Sequence, residues 1–123
     1  ADVYRAVQGG LTTTKATISD RPELVTRMIR ATQRSLRLIR SDKKYALAFI
    51  RGPYLDLGQE RQRFAEQIYD AALQYYLQSG TVDEKLQREM IAVAAQRVKG
   101  AQLVPPERVF DFSFAQKVSE TLR

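Results

Sequence analysis

From Asp20 onward the apolar residues of this chain recur at helical spacing. Val25, Met28, Ile29, Leu36 and Ile39, with Thr32 among them, step by three and four, the interval that places side chains on one face of an α-helix. A helix is therefore predicted from Pro22 to about Arg40. Its start is doubly marked, by a capping-box pair, Asp20 with Glu23, and by Pro22 in the first turn, where a missing N–H removes no helical hydrogen bond. Ser41 is expected to cap a short second helix from Lys44 to Ile50, which Gly52 and Pro53 stop. Asp56 with Gln59 repeats the capping pattern. Leu57, Arg61, Phe64, Ile68, Ala72 and Tyr75 then predict a long helix to about Leu77, closed by Ser79 and Gly80. Thr81 with Glu84 opens the next helix, with Leu86, Met90, Val93, Ala94 and Val98 facing inward and Gly100 at its end. Pro105 and Pro106 mark an extended connector, and Ser113 with Gln116 caps a last helix to about Leu122.

The beginning of the chain reads differently. Val3 to Val7 is short and apolar, and Leu11 to Thr14 is β-branched, so each suits a strand, with Gly9 and Gly10 interrupting. Two strands do not make an independently stable sheet. The expected fold is thus mainly α, with at most one or two short strands near the N-terminus: residues 1–19 are strand and loop, residues 20–122 helical, in a single domain or a fragment of one. In a larger chain, Leu11 to Thr14 would be one strand of a sheet whose other members lie elsewhere.

Composition narrows the function. At 123 residues, 44% apolar and 28% charged, the chain has globular values and the size of one domain. No run approaches the roughly 18 consecutive apolar residues of a membrane span, and no basic-then-apolar signal segment is present. The opening Ala1 in place of Met gives the expectation of a processed or excised piece. Cys and His are both absent, which removes disulfides, thiol chemistry, the commonest general base and the commonest metal ligand. The acids closest together, Asp56, Glu60 and Glu66, do not share one helix face. A non-enzymatic protein with no metal site and no cofactor is expected.

The net charge of +6 is concentrated. Residues 21–51 hold nine basic residues against Glu23 and Asp42, a net of +7, which leaves −1 for the rest. Arg27, Arg30, Arg34, Arg37 and Arg40 step by three and four along the first long helix, expected opposite its apolar stripe. Such a ridge can track phosphates or an acidic membrane surface. Without interleaved aromatics or a nucleic-acid motif, it is read instead as a solvated face pairing with acids such as Glu60, Glu66 or Glu89. Among the tyrosines, the spacing puts Tyr75 on the apolar face of its helix and Tyr69 and Tyr76 off it.

Two segments carry a family resemblance. One runs from Gly10 through Leu11, Thr12, Thr13 and Thr14 to Asp20, Arg21, Pro22 and Glu23. The other is Val104, Pro105, Pro106, Glu107, Arg108, Val109, Phe110, Asp111, Phe112, Ser113 and Phe114. With Arg30, Ala31 and Gly80 between them, and over about residues 9 to 122, their order resembles the C-terminal part of the nitrate/sulfonate/taurine-type and thiamine-precursor-type substrate-binding proteins of ABC transporters. The resemblance implies a helical C-terminal segment of a two-lobed α/β periplasmic-binding-protein fold that closes on a small solute. It further implies delivery to an ABC permease and a periplasmic or other extracytoplasmic location. The few solute contacts in this stretch would lie at Thr12, Thr13 and Thr14. Those hydroxyls suit the edge of an anion pocket, and three threonines equally suit a strand with no ligand. Asp111 could meet a ligand or cap a helix, and Phe110, Phe112 and Phe114 fit an extended stretch turning rings into a core. Partners expected are a small solute and, in the intact protein, the permease, with no nucleic acid and with a homodimer of this chain. The alternative is a small basic helical module that binds nucleic acid or regulates through its arginine helix.

Overall fold

The computed structural model describes residues 9–52, 58, 62–76 and 79–122. Helix accounts for 71%, and no strand occurs among the described residues. The elements are α1 (Lys15–Asp20), α2 (Pro22–Ser41), α3 (Lys43–Arg51), α4 (Ala65–Tyr75), α5 (Glu84–Arg97), a 3₁₀ turn (Pro106–Arg108) and α6 (Ser113–Thr121). The mainly helical class is thus met, with one element, α1, that the periodicity did not predict. The expected strand at Val3 to Val7 and the Asp56–Gln59 cap lie outside the described residues.

Leu11 to Thr14 is not a strand. The Thr14 hydroxyl accepts the backbone N–H of Thr17 at 3.0 Å and so caps α1, and among the described residues no second strand offers it a ladder. The capping boxes are also reassigned. Asp20 sits in the last turn of α1, leaving Arg21 at the start of α2 without a side-chain cap. Asp42, not Ser41, caps α3 by accepting Tyr45 N–H at 2.8 Å. Asp83, not Thr81, caps α5 by accepting Leu86 N–H, also at 2.8 Å. At α6 the Asp111 carboxylate accepts both the N–H and the hydroxyl of Ser113, at 3.0 and 2.6 Å. At α3 and α5 the carboxylate took the cap in place of the expected hydroxyl, because a charged acceptor gains more from the helix N-terminal dipole than a hydroxyl does, whereas the N-cap position of α6, Phe112, has no side-chain cap.

Helix α2 is the organising element. α6 packs along it, α1 and α3 pack near its two ends, α4 lies on α3, and α5 meets the 3₁₀ turn. The residue that centres this arrangement is polar. Gln33 is 2% exposed; its amide nitrogen donates to Ser79 O and Ala115 O, both at 3.0 Å, and its oxygen accepts the Ser119 hydroxyl at 3.2 Å. One side chain thereby ties α2 to α6 and to the 79–80 turn. Gly80 in that turn has φ +65, and a β-carbon on it would face the same amide nitrogen; the left-handed conformation is one that glycine adopts freely.

The arginine ridge divides. Arg37 donates to Leu122 O at 2.7 Å, and Arg40 to Leu73 O at 2.8 Å and Tyr76 O at 2.6 Å. These are carbonyls at the ends of α6 and α4, which lack helical partners and carry the negative end of the helix dipole. Carbonyls, rather than the expected acids, are their partners. Glu66 instead meets Lys43 and Arg51, and Glu89 meets Lys85, all at exposed positions where such pairs contribute little. Replacing Arg40 by Met should cost about 2 kcal/mol by orphaning two carbonyls of α4. Urea unfolding measures this, and a loss below roughly 0.5 kcal/mol would show that the contacts are incidental.

Helix α4 lies one residue out of phase with the expected face. Tyr69 is buried at 3%, its hydroxyl donating to Ile39 O at 2.8 Å, whereas Tyr75 is 73% exposed. The inward stripe is Ala65, Tyr69 and Leu73; Phe64, Ile68 and Tyr75 face out. The helix carries two apolar stripes, and the tyrosine selected the one whose hydroxyl could reach a carbonyl.

What is buried is small. The apolar core consists of Ala46, Ala65, Tyr69, Ile91, Ala115, Val118 and Leu122. None of the six residues expected on the apolar face of α2 is fully buried, and Met28 is half exposed.

Candidate functional site

The stretch from Leu11 to Ile18, the first two turns of α2 and the start of α6 enclose an open cleft of about 190 Å³. Its floor is apolar: Leu24, Val25, Met28 and Ile29 from α2 and Phe114 from α6. Its rim is polar, with Thr12 and Thr13 on one side and Asp111 on the other. α2 supplies the floor because Val25, Met28 and Ile29 fall at the three-and-four spacing and Pro22 fixes where the helix begins. Asp111 is held at the rim by its own contacts with Ser113, the first residue of α6. A second opening, of about 300 Å³, shares Thr13, Ile18 and Asp111 and continues towards Arg108 and Phe110.

The three threonines are used unequally. Thr14 is committed to α1, its hydroxyl sharing a hydrogen bond with that of Thr17 at 2.9 Å. Thr12 and Thr13 are exposed and turn towards the cleft without an intramolecular partner among the described residues. The rings of Phe110 and Phe112 stack with centroids 5.9 Å apart, and Phe110, Phe112 and Phe114 are each half-buried.

No protein-family model, curated protein or solved structure matches this chain.

The chemistry of the cleft is that of contact and hydrogen bonding. Two hydroxyls can donate or accept, a carboxylate can accept, and the floor offers apolar surface. Among the described residues no group of three acidic side chains gathers as metal ligands would, and no helix is long and apolar enough to cross a membrane. Of the acids closest together in sequence, Glu66 stands on α4, and Asp56 and Glu60 lie outside the described residues. The residue that periodicity missed is Gln33. Gln33 carried a readable signal, for it sits four residues after Ile29 and three before Leu36, a polar residue within the apolar stripe.

Proposed function

We propose that this chain is the helical C-terminal part of a solute-binding protein that captures a small molecule for uptake by an ABC transporter. The observation that carries the reading is the unfilled apolar surface beside a hydroxyl-rimmed cleft. Leu11, Met28, Leu38, Phe64, Ile68 and Val98 are all at least 40% exposed, in helices whose order follows the resemblance from the threonine segment to the aromatic-Asp segment. Helices of an α/β lobe have this character, because one face of each is made to lie on a sheet. On this reading the apolar faces of α2 and α4 rest against strands from the rest of the lobe. Thr12, Thr13 and Thr14 stand near the solute, with Thr12 and Thr13 having the freer hydroxyls.

The test uses the full polypeptide encoded by the reading frame that contains this chain. Calorimetric titration with nitrate, taurine and an aminopyrimidine thiamine precursor is expected to give saturable binding of at least one. Thr12→Ala with Thr13→Ala should weaken that binding roughly tenfold, the loss of about two modest hydrogen bonds, with unfolding unchanged. A frame with no additional α/β half, or a folded product that binds no small solute, would reject the proposal.

A further inference from the structure

The division of the arginine ridge leaves a remainder that the fold does not use. Arg37 and Arg40 turn inward onto helix ends. Arg27, Arg30 and Arg34 are exposed, and none has an ion pair or hydrogen bond among the described residues, although Glu23 stands one turn before Arg27, at a distance where helical pairs form. On α2 the three occupy one strip of the outward face at steps of three and four. That strip spans about 10 Å along the axis at the usual rise per residue. Next to it lie Ala31 and Ser35, and the Ser35 hydroxyl is turned back to Ala31 O at 3.0 Å, so the flank is short and chemically quiet.

We infer that the outward face of α2, carrying Arg27, Arg30 and Arg34, docks a carboxylate-bearing helical face of a protein partner. Guanidinium forks match carboxylates bidentately, and acids at i, i+3 and i+7 of an opposing helix have the same axial spacing as these arginines. The small flank of Ala31 and Ser35 lets such a helix approach. Nucleic acid fits the surface less well, because no aromatic side chain stands beside the strip to stack a base. A lipid surface fits less well too, since interfacial helices flank their basic face with large apolar groups that insert. The inference stands apart from the solute reading, for it involves neither the cleft nor Thr12 and Thr13.

The chain itself is titrated at physiological salt with a helical peptide bearing glutamates at i, i+3 and i+7, with a scrambled peptide of the same composition, with duplex DNA and with phosphatidylserine vesicles. Binding should favour the ordered peptide over the other three probes. The charge reversal Arg27→Glu, Arg30→Glu, Arg34→Glu should weaken it roughly tenfold or more, and a peptide with lysines at those positions should restore binding to that variant. The neutral variant Arg27→Gln, Arg30→Gln, Arg34→Gln gives the same reading should the reversal fail to fold, as judged by circular dichroism. Equal binding of ordered and scrambled peptides, preference for DNA or vesicles, or no loss in a folded variant would overturn the inference.

Discussion

Replacing Gln33 by Leu should destabilise this protein more than any other single change to α2, by about 3 kcal/mol. The substitution keeps the volume close to constant, so the cost is not that of a cavity. It comes from three hydrogen bonds lost at once, those to Ala115 O and Ser79 O and the one from the Ser119 hydroxyl. Each such bond contributes about 1 kcal/mol, and the one to Ala115 O is buried, so water does not replace it. At this chain length, a loss of about 3 kcal/mol lowers Tm by roughly 10 °C. Gln33→Glu should be worse than Leu, because it buries a carboxylate facing two carbonyls. Thermal and urea unfolding of both variants measure the effect. A Leu variant within roughly 0.5 kcal/mol of the parent would mean that the network around Gln33 does not hold α6 to α2.

Much of the fold was legible because the helical repeat is a local property. Pro22 and the spacing of Val25, Ile29 and Leu36 place α2 to within a residue at its end, and Gly52 marks the end of α3. Phase was harder. Periodicity alone could not separate Phe64 and Ile68 from Ala65 and Tyr69 on α4, since both stripes are apolar, and the choice was made by a hydroxyl reaching Ile39 O on another helix. Capping residues failed for a similar reason: Ser41 and Thr81 each had an Asp close by, Asp42 and Asp83, and the stronger acceptor prevailed. The candidate cleft was half legible. Thr12 and Thr13 could be singled out from the sequence, but the apolar floor depends on α6 returning to α2 from more than eighty residues away, as the bond between Gln33 and Ala115 measures. Arg37 and Arg40 acting as helix-end caps could not be foreseen from their spacing, because their partners are backbone carbonyls, which every residue has.

The second large effect expected is self-association of the isolated chain. Phe64, Ile68 and Tyr75 on α4, Met28 and Leu38 on α2, and Leu103 and Val109 near the 3₁₀ turn contribute exposed apolar area. A monomer rarely tolerates so much in water. If these faces belong against a sheet, then without it the simplest way to cover them is a second copy, by a two-fold contact in which each chain covers the other. Polar replacements on the exposed stripe, Phe64→Ser with Ile68→Ser, should weaken the association while sparing the fold, since neither residue is in the core.

Sedimentation velocity of the chain across a dilution series tests the central claim most directly, the claim that these helices form one layer of a larger α/β lobe. The account predicts a sedimentation coefficient that rises with concentration towards a dimer or larger species, with the amides of Leu11 to Thr14 exchanging freely in the dilute monomer. A single compact monomer at the highest concentration, with those same amides protected, would contradict it, because the chain would then complete its own core.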